Sequence, residues 1–206
     1  MAAFVKSPGN GVMPGEAFNM VNYGNYKNAA TTLTVEVGDL IVVTNNISGS
    51  WSANITSQVS NATLIKDFVA RSSSIGTAVG VWKATGTSVT ISFISGRYGY
   101  GIYRNKIYSN ITYKTGGTNI SSSSTATNIS SSVSKGDIFI GSYGLSGTSQ
   151  HIWEMYLTGI SSKGSFLIRN TGADPAGATI LGTIIDSTVT YKIPAGAGGY
   201  AIFSVN

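Results

Sequence analysis

The chain contains no cysteine and a single histidine. Without cysteine there are no disulfides, no thiolate metal sites and no cysteine nucleophile. A small secreted disulfide scaffold is excluded on the same ground. One histidine, His151, cannot form a histidine cluster around a metal, and any Ser-His-Asp triad would have to use it. It lies in QHIWEMYL, whose alternation places it on the face of Trp153 and Met155, so a structural role is expected. No G-x-S-x-G elbow in a strand–turn–helix context accompanies it.

Charge is also scarce. Lys, Arg, Asp and Glu make up 10% of the 206 residues, against roughly 25% in an ordinary soluble domain. The net charge of +5 comes from few acids, eight against thirteen basic residues. The basic residues are spread from Lys6 to Lys192 instead of forming a patch, so no nucleic-acid partner is expected. Nothing in the spacing of the acids nominates a glycosidase pair, and no D-x-D-x-D loop points to calcium. Asp39 and Asp137 each follow a glycine at a strand entrance, where an aspartate that caps its own turn is expected.

Long apolar runs are missing as well. No stretch approaches the roughly 20 residues of a membrane helix. The opening MAAFVKSPGNGVMPGEAF lacks the basic-then-apolar pattern of a secretion signal. No enzymatic activity, cofactor, metal or membrane partner is expected.

What fills the chain is short β-rich runs punctuated by Gly, Ser and Asn. TTLTVEV (31–37) alternates, and LIVVT (40–44) is apolar on both faces, as a central strand requires. Further strands are expected at 62–70, 77–84, 87–95, 106–113, 137–143, 151–157, 165–170, 178–185, 188–193 and 199–205. Only 64–71 also reads as a brief helix. The expected class is all-β, an antiparallel β-sandwich of jelly-roll-like type.

The chain also repeats itself. TSVTISFISGRYGYGIY (87–103) aligns without a gap on STVTYKIPAGAGGYAIF (187–203), pairing Val89 with Val189, Tyr100 with Tyr200 and Ile102 with Ile202. Gly38-Asp39 likewise falls on Gly136-Asp137. Two similar halves of about 100 residues follow. They are placed at 31–114 and 130–206, with a Ser/Thr/Asn-rich connection at 115–129, making a duplicated sandwich over 31–206 preceded by an N-terminal arm at 1–30. One sandwich built from both halves is favoured over two in tandem, because each half alone offers modest apolar material for a core.

The best candidates for a ligand or partner face are aromatic and guanidinium groups near strand ends. Trp51 stands in the loop-like SGSWSAN, an unusual place for a core indole. In SGRYGYGIYR (95–104) the self-alignment assigns Gly99 to Tyr103 to framework, with small residues where another layer approaches. Arg97, Tyr98 and Arg104 have no counterpart in the second half. Trp51, Arg97, Tyr98 and Arg104 are therefore the expected contacts for a glycan or a protein partner.

The GDLIVV and KGDIFIGS strands, the intervening VGVWKATGTSVTISF and the closing TVTYKIPAGAGGYAIFSV resemble a family of β-sandwich virion proteins of tailed bacteriophages. A D-x-x-G-N-x-Y turn common in such domains is missing here, where NITSQVSNATLI stands instead. The resemblance implies a non-enzymatic capsid decoration, head-fibre or tail-associated protein on the particle surface. Its implied partners are major capsid or tail proteins and further copies of itself, with host-surface glycans as a second candidate. The alternative is a carbohydrate-binding, host-adhesion module of a tail fibre.

Overall fold

Residues 18–27, 29–48, 58–71, 75–92, 97–106, 108–121, 127–129, 133–145, 156–168, 176–193 and 196–206 are described by the computed structural model, and the statements below concern them. Alternating β-branched and aromatic residues between polar turns produce strands throughout. The first half holds β1 (Phe18–Lys27), β2 (Thr31–Thr34), β3 (Leu40–Ser48), β4 (Ala62–Arg71), β5 (Ile75–Ala84), β6 (Ser88–Ile91) and β7 (Arg97–Asn105). The second holds β8 (Ile111–Ser121), β9 (Thr127–Ile129), β10 (Ile138–Leu145), β11 (Tyr156–Thr158), β12 (Ile160–Ile168), β13 (Ala176–Ile184), β14 (Val189–Lys192) and β15 (Ala197–Val205). The 64–71 stretch is strand, because β5 pairs with one side of its backbone and Phe68 and Ala70 are buried.

Each half builds one five-stranded antiparallel sheet and one small sheet. The large sheets run β1-β7-β3-β5-β4 and β8-β15-β10-β13-β12, here both written from the strand that opens each half. The orders are the same, strand for strand. The small sheets are β2-β6 and β9-β14-β11. Even the irregularities recur. Each outer strand carries an extra residue at a matching place in the two sheets, Val21 in β1, Ile65 in β4, Lys114 in β8 and Lys163 in β12, and β8 has a second one between the partners of Gly198 and Tyr200. A β-bulge of this kind bends and twists the strand.

The strand alternation sends side chains to three cores. Ile41, Val43, Trp82, Tyr98, Tyr100 and Ile102 of the first large sheet pack against Leu33, Val89 and Ile91 of its small sheet. Phe139, Tyr143, Ile180 and Ile202 of the second pack against Ile129, Val189 and Tyr191. The opposite faces of the two large sheets meet each other through Leu40, Val42, Val79, Val81 and Tyr103 on one side and Ile138, Ile140, Leu181 and Phe203 on the other. The two large sheets thus form one sandwich built from both halves, and each small sheet covers the outer face of its own half over a further core. Glycines allow the close approach: a Cβ on Gly101 would stand 2.8 Å from the Phe166 ring, and one on Gly199 3.1 Å from that of Phe68.

Three boundaries differ from the sequence expectation. Of the strand expected at 106–113, only 111–113 is strand among the described residues, and it opens the second half as β8 where the first half was expected to run to 114. Phe18–Lys27, within the stretch read as an arm, is the edge strand β1, paired with β7 along its whole length. The Ser/Thr/Asn-rich connection at 115–129 contains the end of β8 and all of β9. β1 and β9 each lie at a sheet margin and carry little apolar alternation, so hydrophobic patterning does not mark them.

Candidate functional site

The residues expected to form a contact surface divide three ways. Trp51 lies outside the described residues, as do His151 and Trp153. Arg97 opens β7, its backbone opposite Lys27. Tyr98 is fully buried, and its hydroxyl donates to the Ala29 carbonyl at 2.6 Å and lies 3.0 Å from Thr31 Oγ1. It is a core residue that ties β7 to the chain entering β2, not a surface contact. The alternation shows why: Tyr98, Tyr100 and Ile102 are spaced two apart and share one face.

Arg104 belongs to a charge cluster at the opposite end of β7. It pairs with Glu36, and its Nε stands 2.9 Å from Asp39 Oδ1. That second contact is too bent for a hydrogen bond and acts as a Coulombic pair. Asp39 is itself buried, with Oδ2 accepting the Glu36 N–H at 2.8 Å and its carbonyl accepting the Ala84 N–H at 2.9 Å. Gly38 precedes it at φ +95°, a conformation that L side chains rarely adopt.

The second half repeats this turn. Gly136 has φ +95°, Asp137 Oδ2 accepts the Ser134 N–H at 2.9 Å, and the Asp137 carbonyl accepts the Ile184 N–H at 2.8 Å. The aspartates thus cap their own turns, as their position after glycine suggested. The counter-charge comes from elsewhere, however. Lys114 reaches Asp137 Oδ2 at 2.7 Å from the bulge of the outer strand β8. In the first half the same bulge position holds Val21, and the cation comes from Arg104 on the neighbouring strand β7. Position 204, the counterpart of Arg104, is Ser204. A buried carboxylate needs a partner for its charge, and the two halves supply it from different strands.

A second polar cluster lies between the large sheets. Thr44 Oγ1 and Thr179 Oγ1 are 2.6 Å apart, Thr179 Oγ1 donates to Ser142 Oγ at 2.9 Å, and Ser142 Oγ lies 2.8 Å from Thr77 Oγ1. All four side chains are buried. They satisfy one another, which leaves a binding surface no free hydroxyl here.

Among the described residues, no three His, Cys, Asp or Glu side chains stand close enough to hold a metal ion. Among the described residues the exposed large apolar groups are Val21, Tyr23, Val37, Val69, Tyr113, Tyr156 and Ile185. Tyr113 already carries the Lys66 ammonium over its ring, 4.8 Å from the centroid. No family model, curated protein or solved structure matches the chain.

Proposed function

We propose that the chain is a non-enzymatic structural component of a tailed-phage virion, a capsid decoration or head-fibre protein exposed on the particle surface. The observation that carries this reading is the use to which polar and charged side chains are put. Asp39, Asp137, Arg104, Lys114, Tyr98 and the Thr44–Thr77–Ser142–Thr179 cluster all hold the duplicated framework together. Such a molecule is a building block whose outward surface is polar and sparsely charged. The resemblance to phage sandwich domains supplies the setting, with major capsid or tail proteins and further copies of the chain as partners.

Mass spectrometry of purified particles, with antibody labelling of intact ones, tests the reading. The chain should be present at a fixed ratio to the major capsid or tail protein and accessible from outside. Particles that lack it, or carry it only inside, overturn the proposal. A host-adhesion module of a tail fibre is the second reading, favoured by the exposed rings of Tyr23 and Tyr156. A glycan array of the purified chain decides it: binding lost in a Tyr23→Ala or Tyr156→Ala variant supports adhesion, and no binding removes it.

A further inference from the structure

The duplicated framework allows the four outer strands to be compared position by position. A sheet edge exposes a row of backbone donors and acceptors, and proteins protect it with charges, bulges or covering segments. β4 carries Lys66, Asp67 and Arg71, β8 carries Lys114 and β12 carries Lys163. β1, FNMVNYGNYK, has no charged residue before Lys27 at its last position. The contrast is sharpest at the bulge, which is lysine in both outer strands of the second half.

In β1 that position is Val21, 48% exposed, followed by Asn22 and by Tyr23, 62% exposed. Asp39 takes its counter-charge from Arg104, and the β1 bulge carries no lysine. Beyond it, Asn22 to Lys27 pair in regular register with β7, while the other side of β1 has no neighbouring strand among the described residues.

We infer that β1 is an interaction edge whose occupant is the β1 strand of a second copy of this chain, added antiparallel across a two-fold axis. Charge selects the occupant. A chain of net charge +5 is repelled by its own kind, and β8 or β12 would bring a lysine toward that copy. Antiparallel pairing of β1 with itself puts the two Lys27 residues at opposite ends and sets only neutral side chains against each other. An acidic partner would be drawn to the lysine-bearing edges instead. Pairing joins two five-stranded sheets into one of ten strands and covers Val21 and Tyr23. Backbone hydrogen bonds hold such an added strand, and the side chains set its specificity. The inference names a contact for the assembly role proposed above and rests on that role for its setting only. It is measured on the purified chain, so its failure and the failure of the particle test are separate results.

The test is light scattering coupled to size exclusion over a concentration series. The full chain should show a dimer of its 21.4 kDa subunit. Val21→Lys, which copies the lysine of β8, and Tyr23→Lys should each weaken the dimer by about tenfold or more, since each brings a like charge from both copies into the seam. Val69→Lys, at an exposed position on β4, should leave it unchanged. Circular dichroism melting of each variant establishes that it is folded. A wild-type chain that stays monomeric throughout overturns the inference. So does a dimer that survives both β1 substitutions, or one that Val69→Lys weakens equally.

Discussion

Thr44 and Thr179, 135 positions apart, meet hydroxyl to hydroxyl at 2.6 Å between the two large sheets. Their contact closes a buried chain of four hydroxyls that bridges the halves. Removing one member leaves a neighbour short of a partner in a site closed to water. Thr44→Val or Thr179→Val alone should cost about 1–3 kcal/mol, and the double variant less than the sum. Urea unfolding of the three variants measures this; strictly additive costs would show that the hydroxyls do not act together.

The two aspartate turns predict a transplant. Arg104→Ser, which installs the residue of the second half, leaves the buried Asp39 carboxylate with the weaker support of the Glu36 N–H. The expected loss is about 2–3 kcal/mol, below the ~3–5 kcal/mol of a fully buried pair because Arg104 is 23% exposed. Adding Val21→Lys to that variant places a lysine where Lys114 reaches Asp137, and should restore much of the loss. Equilibrium unfolding of both variants tests it; no recovery would mean that the halves are not equivalent at this turn.

Alkaline stability follows from the buried tyrosines. Burial raises the Tyr103 and Tyr191 hydroxyls above the ordinary tyrosine value. The folded chain then keeps protons that the unfolded chain loses, so stability is level below about pH 10 and falls as pH rises beyond it. Tyr103→Phe should flatten the alkaline slope by up to ~1.4 kcal/mol per pH unit. Unfolding free energies from pH 8 to 11.5 measure the slope, and an unchanged slope in the variant contradicts the assignment.

The halves also touch backbone to backbone. A Cβ on Gly144 would run into the carbonyl of Gly76 across the central interface. A carbonyl held in a sheet cannot swing away as a side-chain tip can. Gly144→Ala should therefore cost about 2 kcal/mol or more, whereas Ser→Ala at exposed Ser88 should cost little. Thermal melting compares the two.

Much of the fold can be read along the chain. The runs expected at 40–44, 178–185 and 199–205 fall on β3, β13 and β15, the second ending one residue early at Ile184, since alternation and β-branched residues report directly on pleated, buried backbone. The repeat of Gly38-Asp39 in Gly136-Asp137, and of Tyr100 and Ile102 in Tyr200 and Ile202, reappears as matching places in two sheets of the same order. β1 and β9 are not legible in this way. FNMVNYGNYK and TNI carry too little apolar pattern, and only pairing with β7 and β14 makes them strands. The candidate surface was legible in part. Tyr98 differs from its counterpart Gly198 for a reason internal to the core, so divergence between the halves did not by itself mark a contact.

Local chemistry is enough to set the β class, the duplicated plan and the aspartate-capped turns, because periodicity, glycine conformation and capping act within a few residues. Other properties depend on which strands end up side by side. The back-to-back stacking of the halves, the hydroxyl chain from Thr44 to Thr77 and the choice of Arg104 over position 21 as the partner of Asp39 all join residues far apart in the chain. The edge position of β1 among the described strands is of the same kind: an edge exists only once a sheet has an end, and the lack of charge before Lys27 shows only beside the lysines of β8 and β12.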